Sequence, residues 1–331
     1  MKSSLYIFHS GHLERRQNTL RFKNKRQNRF IPVTTIRDIH LFGEVEVNTS
    51  ALNFLGEHGI AMHSYNYFNS YTGSYLPRKR SSNGQLSKLK QVEYYLDEKK
   101  RLALAKALMD AAIANLEKVL GYYNRRDVDL DWNMQKLAEQ KLKIKNSKNI
   151  PTLMAIEGQA RSYYYKAWDS ILQNDDFLFD KRTRQPPRNR LNALISFGNM
   201  LLYSTCLTEI YSTSLDPGIG FLHATNNRSF SLNLDIAELF KPIIVDRVIF
   251  SLIKNKRIHA SQFRKHKLGP RLDDKARTSF LDSYNQRLKD TVKLNRGDRP
   301  VSYRTLIRRE GYKLEAFFLE KKKYQAFVAK W

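Results

Sequence analysis

"LPRKRSSNGQLSK", residues 76–88, is the stretch at which the hydrophobic period of the chain changes from about two to about 3.6. It is basic and rich in Ser, Gly and Asn, the composition of a connection between differently built segments. Upstream, "SLYIFHS", "TLRFKN", "RFIPVTTIRDIHLFG", "VEVN" and "GIAMHSYNYF" are short, strand-like runs bounded by Gly, Asn and Ser. One helix interrupts them, "ALNFLGEHG", with Thr49 or Ser50 as its expected cap and Gly59 as its stop. Downstream, Leu89, Val92, Leu96, Ala103, Met109, Ala112, Leu116 and Leu120 trace the stripe of a long amphipathic helix ending near Gly121. Further helices are expected at about 131–145, 149–172, 190–213, 232–256, 275–294 and 302–321. The fold class is therefore α+β: a small β-rich N-terminal domain over 1–76, a linker over 77–88 and a larger all-α domain over 89–331.

Charge narrows the partners. Among 331 residues, 58 Lys and Arg stand against 32 Asp and Glu, a formal net charge of +26 spread along the whole length, which favours a polyanionic partner. No apolar run approaches the roughly 20 residues of a spanning helix, and "MKSSLYIFHSGH" lacks a signal-peptide core, so the expectation is a cytoplasmic protein without a membrane segment. The single cysteine, Cys206 in "LLYSTCLTEIY", reads as a small buried hydrophobe rather than a nucleophile. The basic run "KNKRIHASQFRKHKLGPR", residues 254–271, is either a phosphate-contacting surface or a solvated loop.

Several chemistries are excluded by what is missing. No GxxxxGK[ST] and no GxGxxG occurs, so the usual glycine-rich phosphate cradles are absent. "DVDLDW" begins like a calcium loop, but Trp132 stands where the loop needs Gly and Ala138 where it needs Glu, which leaves helix capping as its reading. His9, His12, His40, His58, His63, His259 and His266 have no metal-ligand spacing and read as structural or surface residues.

His223 is different. In "GFLHATNNRSFSLNLDIAELFKP", residues 220–242, it follows the tight bend of Pro217, Gly218 and Gly220 and precedes an apolar helix carrying Asp235 and Glu238. The i, i+3 spacing places both carboxylates on one face, although acids in a first turn also serve the helix dipole. Glu157, in the mostly apolar "PTLMAIEGQARSYYYKAW", is a third acid, with Arg161 one turn away as its ordinary partner. A histidine with several carboxylates suits a divalent cation, oxygen ligands favouring Mg²⁺ or Mn²⁺ and imidazole tilting the choice to Mn²⁺.

The ordered segments "IEG…AR.Y", "RNRLNALISFGNMLLYS", "GFLHATNNRSFSLNLDIAELFKPIIVDR", "YRTLIRREGYKLEAF" and "YQAFVAKW" resemble the CRISPR adaptation integrase family, the endonuclease-like subunit that inserts new spacers. The match spans most of residues 150–331. The resemblance implies a β-rich domain joined to an α-helical catalytic domain, working as a homodimer with a small ferredoxin-like CRISPR adaptation subunit. Carried over by position, it implies that Glu157, His223 and Asp235 are catalytic and metal-binding, with Glu238 as a further acidic metal ligand. Arg161, Asn192 and Lys241 stand near these motifs as candidate DNA contacts; salt bridges and helix packing are their other roles. "EGQARSYYY" departs from the family pattern, being one residue shorter between its Gly and Arg.

The implied reaction is a Mn²⁺- or Mg²⁺-dependent transesterification in which the 3′-hydroxyl of a short double-stranded DNA fragment attacks a phosphodiester of CRISPR repeat DNA. Two alternatives stand beside it: an unrelated metal-dependent DNA nuclease, and a noncatalytic nucleic-acid-binding protein whose acids only cap helices.

Overall fold

Residues 2–330 are described by the computed structural model, apart from 68–69, 79–83, 185, 224–229, 267–268, 296 and 321. The chain divides into two compact units, Met1–Ser82 and Asn83–Trp331.

Alternating strands build the first unit. β1 (Ser3–Ile7), β5 (Ile36–Leu41) and β7 (Ala61–Tyr65) run parallel in the order β1-β5-β7, and β8 (Tyr71–Tyr75) closes that sheet antiparallel to β7. A second sheet has the order β4-β3-β2-β6, from Asn28–Ile31, Thr19–Lys23, Gly11–Arg16 and Val45–Val47. Period-two alternation turns Leu13, Leu20, Phe22, Ile31 and Ile39 into one core, completed by Phe54 and Leu55 of α1 (Thr49–Glu57). The cap of α1 is Asn48, one residue before the expected Thr49: its side-chain oxygen accepts from Ala51 N at 2.9 Å. Asn ranks with the best capping residues, so Thr49 becomes the first helical position. Two strands have no counterpart in the sequence reading. β2, "GHLERR", buries only Leu13, and β8 is too exposed to show alternation. Two buried histidines of this unit have structural partners: His40 Nδ1 meets Tyr65 OH at 2.8 Å and His63 Nδ1 meets Ser74 Oγ at 2.6 Å.

The second unit is helical. Its first helix, α2 (Gly84–Leu96), starts inside the stretch expected as linker, where Gln85, Leu86 and Lys88 are good helix formers. The long helix expected beyond it is broken once, because Asp97 accepts from Lys100 N at 3.0 Å and caps α3 (Glu98–Asn124). α4 (Asp131–Asn146) comes next, and the expected 149–172 helix splits at Ala167 into α5 (Ile150–Lys166) and α6 (Trp168–Leu172). α7 (Arg190–Tyr211) is apolar nearly all round, with Leu194, Ile195, Leu201 and Leu202 fully buried, as a helix in the middle of a core must be.

The expected 232–256 helix is three elements: α8 (Leu232–Phe240), a π-turn (Pro242–Asp246) and α9 (Arg247–Lys254). Pro242 has no N–H, which breaks the hydrogen-bond ladder at this point. α10 (Asp274–Lys289) and α11 (Tyr303–Glu320) complete the unit. Two short antiparallel pairs lie between α9 and α11: β9 (Phe263–Arg264) with β10 (Arg271–Leu272), and β11 (Thr291–Val292) with β12 (Val301–Ser302). Among the described residues, no helix is long and apolar enough to cross a membrane.

Candidate active site

The segment from Pro217 to His223 is folded onto the N-terminus of α8. Pro217 O accepts from Ser231 N and Leu232 N, both at 3.0 Å, while Ser231 Oγ donates to Gly218 O at 2.7 Å and accepts from Gly220 N at 2.8 Å. The approach is close enough to require glycine. A Cβ on Gly220 would lie 2.8 Å from the Ser231 carbonyl carbon and 3.0 Å from both Asp235 Oδ2 and Leu232 N. Gly220→Ala is accordingly expected to lower stability by about 1–3 kcal/mol, with a larger fractional loss of activity, because the backbone it displaces carries His223. Denaturant unfolding beside a turnover assay checks this; a variant matching the wild type in both removes the close-packing argument.

Asp235 organises this loop. Its Oδ2 accepts from Phe221 N at 2.5 Å and Leu222 N at 3.1 Å, and its Oδ1 accepts from His223 N at 2.9 Å and His223 Nδ1 at 2.8 Å. Four donors fill the four lone-pair sites of one buried carboxylate. The imidazole is thereby oriented through Nδ1, which leaves Nε2 as the ring nitrogen for a ligand or a proton. Burial alone would lower the His223 pKa, but the hydrogen bond and charge of Asp235, with the charge of Glu238, raise it above the ordinary histidine value.

Glu238 faces a second group of charges. Its Oε2 accepts from Arg161 Nη2 at 2.5 Å, and Lys241 Nζ donates to its Oε1. Arg161 also meets Glu157, Nε to Oε1, at 3.5 Å, and its Nη1 lies 4.0 Å from Asp246 Oδ2, too long for a hydrogen bond. Glu157 reaches this group because Asn149 caps α5, accepting from Thr152 N at 2.9 Å, and the register buries Leu153, Ile156 and Ala160. Burial opposes the ionised form of Glu238, but Lys241 and Arg161 outweigh it and hold the pKa below the usual carboxylate range. The Glu157 pKa is raised, first by burial and then by the negative charge of Glu238. The two carboxylates therefore feel one another across a site whose cations are shared.

Of the roles the sequence left open for Arg161, Asn192 and Lys241, DNA contact or salt bridges and helix packing, the structure shows internal partners for all three. Arg161 and Lys241 are 9% and 8% exposed and spent on Glu238. Asn192, fully buried, clamps the 181–183 segment: Nδ2 donates to Lys181 O at 2.8 Å, and Oδ1 accepts from Arg182 Nη1 at 3.0 Å and Thr183 N at 3.1 Å. Asp246 was not foreseen, although a lone acid in "KPIIVDR" carries the same signal that exposed Glu157. Cys206 is fully buried and its thiol pKa is pushed up by burial.

Burial raises the Asp246 pKa to about 7 despite the neighbouring Arg161 and Lys241. Between the unfolded value near ~3.9 and about 7, the folded chain keeps a proton that the unfolded chain has lost. Stability from this group is thus complete below the unfolded value and gone once pH has passed the folded one. In metal-free protein, Asp246→Asn should gain on the wild type by at most a few kcal/mol between pH 5 and pH 8. Thermal unfolding at both values tests it, and a pH-independent gap would show that burial does not raise the Asp246 pKa into this range.

Among the described residues, no group of three His, Cys, Asp or Glu side chains is arranged to hold a metal ion. The four lone-pair sites of Asp235 are taken by the loop, whereas Arg161 and Lys241 take two of the four on Glu238.

A model of the family described as "CRISPR associated protein Cas1" matches residues 5–286. A CRISPR-associated endonuclease Cas1 of Thermodesulfovibrio yellowstonii is 46% identical over 331 residues, covering 100% of both chains. The chain belongs to the Cas1 family. The Cas1 endonuclease of Thermotoga maritima is 41% identical over 312 residues, covering 94% of this chain and 95% of the relative. The solved structure of a Cas1 protein from Thermotoga maritima superposes with a TM-score of 0.87 at 39% identity, covering 99% of each chain. A casposase bound to integration product shares the fold, with a TM-score of 0.87 at 20% identity and coverage of 99% and 93%. This Cas1 family member is an endonuclease.

Proposed function

We propose that Glu157, His223 and Glu238 act on the phosphodiester, with Asp235 as the residue that positions His223. The observation that carries this division of labour is the saturation of Asp235 by four donors from residues 221–223. Of the two acids on one helical face, that leaves Glu238 beside Glu157. The donor set of two carboxylates and one imidazole suits Mn²⁺ or Mg²⁺, and the Glu238 charge that adds to burial in raising the Glu157 pKa is what a cation would offset. A divalent cation held by Glu157, His223 and Glu238 would supply Lewis-acid stabilisation of charge on the phosphate. Lys241 and Arg161 keep Glu238 ionised and supply positive charge behind it.

On this reading the 3′-hydroxyl of a short double-stranded fragment attacks a phosphodiester of CRISPR repeat DNA, one phosphodiester replacing another without nucleotide energy. The residues with chemical roles all lie in the helical unit, which supports assigning chemistry to residues 89–331. The net charge of +26 supports DNA as the partner. A Cas6-RT-Cas1–Cas2 complex, 21% identical and with a TM-score of 0.85, contains the same fold. A small Cas2-type subunit of ferredoxin-like form and a second copy of this chain are the protein partners the reading requires.

The test is strand joining by the purified protein on labelled branched DNA with Mn²⁺, with Mg²⁺ and with chelator. Joining that requires metal is expected. Cleavage without joining would mean a plain nuclease, and salt-sensitive binding with no strand chemistry in the presence of the small subunit would mean a noncatalytic binder.

A further inference from the structure

The helix carrying Asp235 and Glu238 does not end regularly. Pro242 has no N–H for the carbonyl of Glu238, and the chain widens into the π-turn, where Asp246 N donates to Lys241 O at 3.0 Å. A side chain from elsewhere meets the carbonyl next to the break. Asn115 of α3, fully buried, donates through Nδ2 to Leu239 O at 2.9 Å. The same Nδ2 donates to Phe327 O at 2.9 Å, and Oδ1 accepts from Ala329 N at 2.8 Å.

Phe327 and Ala329 belong to the segment beyond α11, which makes no helix or sheet of its own. Its hold is nonetheless specific. Tyr324 OH donates to the buried Glu310 at 2.6 Å, and Lys313 Nζ donates to Gln325 O at 3.0 Å, which ties the start of the segment to α11. The Phe327 ring stacks on that of Phe240, the last residue of α8, with centroids 5.1 Å apart and planes 8° from parallel. One asparagine thus joins the C-terminal turn of α8 to a strap that is bolted at both ends.

We propose that Asn115 and the segment Tyr324–Ala329 form a positioning clamp that keeps the π-turn after α8 in register, and with it the placement of Asp246 against Arg161, the cation that holds Glu238. The inference rests on the reading of Glu238 as part of the reacting site. A π-turn holds one residue more than an α-turn, and rewinding it to α-helix rotates the residues beyond it by about 100° relative to α8. Asp246 would leave Arg161, whose guanidinium also holds Glu238, while Lys241, which precedes the turn, would stay beside Glu238. Rewinding is opposed only if the carbonyls next to Pro242 are satisfied as they stand, which is the service of Asn115 to Leu239 O. Phe327 and Ala329 in turn fix the asparagine amide, since three of its four hydrogen-bonding positions are filled in one orientation.

The experiment compares wild type, Asn115→Ala and Glu238→Gln as full-length chains, by hydrogen exchange of the amides of residues 241–246 and by kcat and KM for strand joining. Asn115→Ala is expected to speed exchange in that segment by about tenfold and lower kcat by about tenfold or more, with KM for DNA within about twofold. Should Asn115→Ala not fold, Phe327→Leu, which keeps all three hydrogen bonds and loses only the ring stack, is expected to show the same pattern at about threefold. Wild-type kcat in the folded variant overturns the clamp, as does exchange that rises evenly over the whole helical unit. If Glu238→Gln also joins strands normally, it is the site reading that has failed; an inactive Glu238→Gln beside a fully active Asn115→Ala refutes the clamp alone.

Discussion

Glu238→Gln is expected to lower strand cleavage and joining by at least about 100-fold, a loss of some 2.7 kcal/mol of transition-state stabilisation, and to leave DNA affinity within about twofold. The substitution preserves shape and removes only the charge. In the native chain that charge is held below the usual carboxylate range by Lys241 and Arg161 against the effect of burial, and it is felt by Glu157. With glutamine present, the Glu157 pKa returns toward its ordinary value, and the site loses the paired negative charge that would attract a cation. Affinity for DNA persists because it rests on the cationic surface of a chain carrying +26, not on an acid that is 4% exposed. The measurement is single-turnover joining and filter binding on the same substrate. Wild-type joining by Glu238→Gln would return the second acidic role to Asp235, as the sequence reading had it.

That the sequence could not separate these two acids has a simple cause. An i, i+3 spacing puts two side chains on one face, but not in one environment. Asp235 meets a loop folded back by Pro217 and Gly220, whereas Glu238, one turn later, meets α5 through Arg161. The bend itself was legible, since Pro217, Gly218 and Gly220 announce it, and so was its consequence of returning His223 to the helix. The order of strands first and helices after was legible for the same reason: hydrophobic period is a local signal. Breaks within helices were less so. Asp97 and Ala167 interrupt apolar stripes that continue across them, and the π-turn at Pro242–Asp246 keeps every position buried, so periodicity has nothing to show. For Asn192 and Arg161 the sequence left DNA contact open beside salt bridges and packing, because polar residues near a site suit either. Only tertiary partners, the 181–183 segment and three acids, reveal them as internal.

Asp235→Asn is expected to damage stability and turnover together, which sets it apart from the Glu238 variant. Asparagine offers one oxygen where the carboxylate offers two, and its NH₂ is forced against two N–H donors of the 221–223 segment. Leaving buried donors unsatisfied costs about 1–3 kcal/mol each, so the expected loss is about 2–5 kcal/mol. For a helical unit of this size that is a fall in Tm of roughly 5–15 °C. Turnover falls by about 10- to 100-fold because His223 loses the acceptor that orients its ring. The pH dependence has a definite sign. The folded His223 pKa is raised, so the stabilisation from its charged pairing with Asp235 is complete below the unfolded histidine value and fades as pH rises through the folded one. In metal-free protein the Tm gap between wild type and Asp235→Asn is therefore wider at pH 5.5 than at pH 9, as thermal unfolding at the two values will read. A lost turnover with an unchanged Tm and a gap independent of pH would mean that Asp235 works on the phosphodiester itself, and that the four donors it gathers are incidental to its role.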